Sequence, residues 1–240
     1  MAVLSFFALL IFAIETILFS IFSLIAVFDR SGKLYFVIAR TWARVSLLIF
    51  GVRIRVSGLD NIRSGEHYVY VANHASFTDI PIVLAAIPHG IRLVMRNTLT
   101  RIPIWGWSML ASPYIIINRT NATEAERTLR TAVAAIRNGA SILLFPEGTR
   151  TPTGQMQAFK RGAFHLAFDS GAAILPVAII GAFEIIARHE WLPRWGKRVE
   201  VRIGEAIYPR DVKSEEARSE EMRLMREAEK CVGELFGDRK

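Results

Sequence analysis

The chain has 240 residues, 52% of them hydrophobic, and a formal net charge of +8, which is room for one α/β domain with a sizeable core plus an appendage. A mean hydropathy of +0.30 excludes an ordinary soluble domain, and the basic balance calls for an anionic partner such as lipid headgroups, nucleic acid or phosphorylated substrates. Cys231 is the single cysteine, which excludes an intramolecular disulfide and a cysteine-based metal cluster.

Residues 2–28 form an apolar run whose one charge is Glu15. As a helix it would be about 40 Å long, more than the roughly 30 Å of a hydrocarbon core. The polar turn Asp29–Lys33 follows, then a second apolar stretch, Leu34–Phe50, with Arg40 and Arg44 one helical turn apart. That pattern fits a basic-faced helix lying in the interface of an anionic membrane. The pair reads either as a spanning helix plus an interfacial one or as a hairpin in a single leaflet, which a carboxylate at mid-span favours. Arg30, Lys33, Arg40, Arg44, Arg53 and Arg55 follow the first helix, so everything downstream is expected on the cytoplasmic side. Residues 1–50 are therefore expected to be membrane-anchoring helices, and residues 51–240 one domain that includes a C-terminal helix from about 214.

From Gly51 onward strands and helices alternate. Strands are expected at Val52–Val56, His67–Ala72, Ile91–Met95, Tyr114–Ile117 and Ser141–Phe145, and helices after Thr78, after Trp107, over Ala122–Arg137 and over Ala163–Asp169. This predicts an α/β fold with a mainly parallel central sheet flanked by helices, behind an N-terminal membrane-associated helical segment. Val199–Ile203 alternates as an edge strand would, and the tail carries an apolar stripe at Leu224, Ala228, Cys231 and Leu235 that suits docking on the core. Gly181–Lys197, with Trp191 and Trp195, reads equally as an interfacial loop or as a cover over the sheet.

Asn73-His74-Ala75-Ser76-Phe77-Thr78-Asp79 joins the strand 67–72 to a helix. With Thr78 as N-cap, Pro81 is the third helical residue and breaks no hydrogen bond. On one continuous helix His74 and Asp79 would sit about 140° apart; across a strand–turn–helix corner the carboxylate can reach one imidazole nitrogen. It would then fix the tautomer and free the other nitrogen to take a proton. The alternative is a turn histidine beside an aspartate that only favours the helix dipole. His74, Arg119 and Glu147 all fall at carboxyl ends of expected strands, where ligands of open parallel sheets bind. Pro146 and Gly148 specify a turn that presents Glu147 and Arg150 side by side. Arg119, Arg150, Lys160 and Arg161 read as a phosphate clamp, with Arg161 instead solvated or paired. A serine hydrolase would need a nucleophile such as Ser76 or Ser141, but no G-x-S-x-G occurs. No nucleic-acid-binding motif occurs either.

Four stretches together resemble the glycerolipid acyltransferases, typified by bacterial 1-acylglycerol-3-phosphate acyltransferases. They are Asn73-His74-x-Ser76-x-x-Asp79, Ile117-Asn118-Arg119, Phe145-Pro146-Glu147-Gly148-Thr149-Arg150 and Ile174-Leu175-Pro176-Val177. In that family the position of Asn118 is often aspartate. The resemblance implies that His74 is a base oriented by Asp79, with Asn73, Arg119, Glu147, Gly148, Thr149, Arg150 and Lys160 binding the acceptor. It implies acyl transfer from acyl-CoA or acyl carrier protein to lysophosphatidic acid, or alternatively to another lyso-lipid or glycerol 3-phosphate, without cofactor or metal. It also implies a place on the cytoplasmic face of a bacterial inner membrane.

Overall fold

The computed structural model of the protein describes residues 2–29, 31–117 and 122–237. Helix α1 (Ala2–Ile25) and a short 3-10 turn (Ala26–Phe28) lead to helix α2 (Lys33–Ile49). Asp29 closes the hairpin between them, its Oδ2 accepting the Leu34 N–H at 2.7 Å and its Oδ1 the Ser31 N–H at 3.0 Å. Glu15 does not face outward. It lies in the seam between the helices, where Ser46 Oγ donates to it at 3.1 Å and Trp42 Nε1 donates to the adjacent Thr16 at 3.1 Å. Phe6, Phe7, Ile14, Phe22 and Phe28 remain exposed, and α1 is the one described helix long and apolar enough to cross a membrane.

The basic face expected on α2 needs correcting at Arg40. Its guanidinium donates to the carbonyls of Leu84 at 3.4 Å, Ile87 at 3.0 Å and His89 at 2.8 Å. These belong to the end of helix α3 (Asp79–Ala86) and the turn after it. A helix terminates in carbonyls without intrahelical partners, and a cation there is favoured. Arg40 therefore ties the hairpin to the domain, and Arg44 remains exposed.

Strands β1 (Arg53–Ser57), β2 (Tyr68–Ala72), β3 (Ile91–Arg96), β4 (Ile115–Ile117), β5 (Ser141–Leu144), β6 (Ala173–Ile180) and β7 (Arg198–Ile203) form one sheet, ordered β1-β7-β6-β2-β5-β3-β4. The run from β6 to β4 is parallel; β7 pairs antiparallel with β6, and β1 lies parallel to β7. Val199–Ile203 is thus not an edge, because β1 covers it. Its alternation arises because Val199, Val201 and Ile203 face the core and the intervening residues do not. β2 is buried along its whole length between β5 and β6, which is why its sequence is a continuous apolar and aromatic run.

Helices α2 and α3 cover one face, packed on Tyr68, Tyr70, Ala72 and Leu175. Helices α5 (Ala122–Arg137), α6 (Gly162–Ser170) and α7 (Ala217–Gly237) cover the other, packed on Val69, Val71 and Ile174. Short helix α4 (Trp105–Leu110) packs against α1. The C-terminal helix docks through Leu224, Ala228 and Val232, while Cys231 lies beside Gly204. From β2 the chain crosses by α3 to β3 on one side, and from β5 it crosses by α6 to β6 on the other. The order of crossing reverses between β2 and β5, and a crevice opens beyond the carboxyl ends of strands at such a point.

Candidate active site

His74 follows β2 at that point, and Asp79 opens α3. Thr78 is the N-cap, and the first helical bond runs from the Ile82 N–H to the Thr78 carbonyl at 2.9 Å, so Pro81 breaks none. The Thr78 hydroxyl donates to Ser76 Oγ at 3.0 Å instead of capping. Asp79 instead gathers donors from the loop before the helix. Its Oδ2 accepts from Ala75 N–H at 2.7 Å, Ser76 N–H at 2.8 Å and His74 Nδ1 at 2.7 Å. With Nδ1 donating there, Nε2 carries the lone pair.

The imidazole is held on other sides as well. Its ring stacks on Phe145, centroids 4.2 Å apart and 16° from parallel. Its backbone N–H donates to Glu147 Oε1 at 2.8 Å, and its carbonyl accepts the Thr151 N–H at 2.8 Å. The His74 side chain keeps 21% of its surface exposed, whereas Asp79 is buried. A fixed imidazole backed by a buried carboxylate, its second nitrogen unbonded among the described residues, is suited to removing a proton from a hydroxyl.

Glu147 is 2% exposed, and its Oε2 accepts from Gln157 N–H at 3.2 Å and Gln157 Nε2 at 3.0 Å. Burial pushes its carboxyl above the usual range, while the bonds from His74 and Gln157 oppose that. The structure therefore makes Glu147 a brace beneath His74. It does not stand side by side with Arg150. Gly148, at φ 79, reverses the chain between them, and the Gly148 N–H returns to the Phe145 carbonyl at 3.0 Å. The carboxylate turns inward to the donors of His74 and Gln157, and the guanidinium lies over the Phe77 ring.

Asn73 is likewise turned inward. Its Nδ2 donates to the Ile179 carbonyl at 2.9 Å and its Oδ1 accepts the Ile179 N–H at 2.7 Å, so its amide locks β2 to β6 and is not free to meet a ligand. Ser76 is buried and donates to the Ile186 carbonyl at 2.9 Å; Ser141 Oγ accepts the Tyr68 N–H at 3.1 Å, at the opposite end of the strands. Neither serine is placed as a nucleophile.

Arg150 Cζ lies 3.5 Å above the centre of the Phe77 ring, which is 63% exposed on the rim. Burial, helped by nearby Arg188, lowers the Arg150 pKa, while the charge of Asp79 opposes the shift. Arg150 Nη1 and Asp79 Oδ1 are enclosed without hydrogen-bond partners among the described residues. Lys160 is exposed, with its N–H on the Pro146 carbonyl at 2.9 Å. Thr149 is half-buried, its hydroxyl donating to the Arg150 carbonyl at 3.1 Å. Arg161 is an ion-pair member, 3.3 Å from Glu221, so it drops out of the clamp. Arg119 lies outside the described residues. Among those described, no group of three or more histidine, cysteine or carboxylate side chains could hold a metal ion.

Residues 53–180, more than half the chain, match the Acyltransferase family. The chain belongs to that family. This acyltransferase-family protein is 33% identical over 155 residues to a chloroplastic 1-acyl-sn-glycerol-3-phosphate acyltransferase of Arabidopsis thaliana, covering 64% of this chain and 43% of the relative. It is 31% identical over 147 residues to the 1-acyl-sn-glycerol-3-phosphate acyltransferase of Borreliella burgdorferi, covering 61% of this chain and 59% of the relative. The chain thus spans about half the length of the curated relatives it matches. The crystal structure of the 1-acyl-sn-glycerophosphate acyltransferase of Thermotoga maritima superposes with a TM-score of 0.76 at 26% identity, over 95% of this chain and 94% of that one.

Four contributors escape the sequence. Phe145 merges into an apolar strand, and Gln157 and Arg188 are single polar residues in loops. Phe77 alone carries a signal, since a large aromatic stands between Ser76 and Thr78 in an otherwise polar corner.

Proposed function

We propose that this protein transfers a fatty acyl group from an acyl thioester to the sn-2 hydroxyl of lysophosphatidic acid, giving phosphatidic acid. The observation that carries this is the His74–Asp79 bond of 2.7 Å, beside an Arg150 guanidinium seated on the exposed Phe77 ring, in a chain that superposes over 95% of its length on an enzyme of that name. His74 Nε2 takes the proton of the acceptor hydroxyl as that oxygen attacks the thioester carbonyl. Asp79 stabilises the imidazolium. The tetrahedral intermediate then expels the thiolate, and the imidazolium returns its proton to the sulfur, so no acyl-enzyme forms and no cofactor takes part. Glu147 and Gly148 hold the turn that shapes the site, and Arg150, Lys160 and Thr149, with Arg119, receive the acceptor's phosphate.

Residues 1–50 serve as the membrane anchor and residues 51–240 as the acyltransferase domain. The apolar surface of α1 enters the lipid, and the protein works at the cytoplasmic face of a bacterial inner membrane. In the loop after β6, Trp195 is a cover whose Nε1 donates to the Ile49 carbonyl at 3.1 Å, whereas Trp191 is 88% exposed and faces the lipid. The test is an assay of purified protein with a panel of lyso-acceptors and both coenzyme A and carrier-protein thioesters, with products read by mass. Phosphatidic acid is the expected main product. Free fatty acid alone, or acylation of uncharged acceptors in preference, would sink the reading.

A further inference from the structure

We propose that Arg188 is a second arginine of the acceptor's phosphate site, and that with Arg150 it selects a phosphate monoester over a phosphodiester. The proposal rests on the assignment of Arg150 to the acceptor phosphate and adds a residue from a separate loop. Arg188 Nη1 donates to the Arg150 backbone carbonyl at 3.2 Å, which holds the Arg188 guanidinium against the turn that carries Arg150, within reach of its charge. That contact uses one of the five N–H donors of Arg188.

The placement is built. Gly181, at φ 89, opens the loop, and a Cβ there would meet the Arg198 carbonyl oxygen at 2.5 Å, so the direction of departure from β6 is fixed. The Ile186 carbonyl is held by Ser76 Oγ at 2.9 Å, and the Arg194 N–H returns to the Ile185 carbonyl at 2.7 Å. Arg188 is therefore two residues from a point anchored to the His74 corner.

The other cations of this loop are answered by carboxylates: Arg194 pairs with Glu190, and Lys197 with Glu184 at 3.8 Å. Arg188 is exposed and pairs with no described carboxylate. Its charge also helps to lower the basicity of Arg150, second to burial. Two guanidinium groups so close repel unless an anion lies between them. A phosphate monoester near neutral pH carries about −1.5 to −2 charges and meets both, whereas a diester carries one charge and has fewer free oxygens.

The experiment compares Arg188→Gln and Arg188→Lys with the wild type on lysophosphatidic acid, lysophosphatidylglycerol and a monoacylglycerol, with melting temperatures measured alongside. One lost charge-assisted contact predicts a KM for lysophosphatidic acid about ten- to a hundredfold higher in Arg188→Gln. The effect should be smaller with the diester and least with the monoacylglycerol, the thioester KM should stay within about twofold, and lysine should restore part of the loss. An equal loss with all three acceptors would make Arg188 a loop brace and overturn the proposal, as would a rise in the thioester KM alone or no change. Wild type that fails to acylate lysophosphatidic acid defeats the parent reading and this one together. Wild type that needs Arg150 but tolerates Arg188→Gln defeats this one alone.

Discussion

Around His74 and Glu147 the protein answers charge with fixed donors: Asp79 Oδ2 receives three at 2.7–2.8 Å, and Glu147 receives the His74 N–H and both nitrogens of Gln157. Around Arg150, Arg188 and Lys160 it does the reverse. The guanidinium of Arg150 rests on an aromatic ring and that of Arg188 on a backbone carbonyl, and no described carboxylate pairs with any of the three. The difference separates two tasks. A proton-transfer group works best when its geometry is set before substrate arrives, because reorganisation then adds nothing to the barrier. A binding group for an anion must keep its charge uncompensated until the anion comes.

The largest expected effect comes from breaking the first region. His74→Ala should lower turnover by about 10² to 10⁴, with the melting temperature measured alongside because the ring also stacks on Phe145 and donates to Asp79. Asp79→Asn should lose less, since the amide oxygen still accepts while the charge is gone. Undiminished turnover in His74→Ala would end the proposed mechanism. Glu147→Ala should act on folding. It strands two partly buried backbone donors, the N–H groups of His74 and Gln157, at about 1–3 kcal/mol each, while Gln157 Nε2 keeps the Thr149 carbonyl, in a protein whose whole stability is on the order of 5–15 kcal/mol. Urea denaturation should show at least about 2 kcal/mol lost; less than half of that, with a raised acceptor KM, would make Glu147 a ligand and blur the comparison. The smallest effect sharpens the second region. Phe77→Ala removes a cation–π contact worth about 0.5–2 kcal/mol, so the KM for lysophosphatidic acid should rise about two- to thirtyfold and Phe77→Trp should keep most of the affinity. A loss in turnover with KM unchanged would mean that Phe77 serves the His74 corner.

How far the sequence carried follows from which signals are local. Helix starts, the Pro81 position and the strand–turn–helix corner depend on neighbouring residues, and the His74–Asp79 contact was legible for that reason. The order of the strands was not, so a sequence that alternates like an edge strand proved to lie inside the sheet. Arg40 looked like a lipid-facing charge because its partners, carbonyls at the end of α3 and in the turn after it, are more than 40 residues away. Asn73 and Glu147 looked like ligand groups since polar residues in motifs resemble one another. Their inward bonds to Ile179 and Gln157 depend on tertiary contacts that spacing does not encode.

The most direct test of the division between chemistry and anion binding is a Michaelis analysis of Arg150→Ala with both substrates varied in turn. The KM for lysophosphatidic acid should rise about ten- to a hundredfold, that for the thioester should barely change, and the slow reaction of a monoacylglycerol should suffer little by comparison. The contradicting result is a raised thioester KM with lysophosphatidic acid unaffected, which would mean that the rim grips the phosphates of coenzyme A or the acidic surface of a carrier protein.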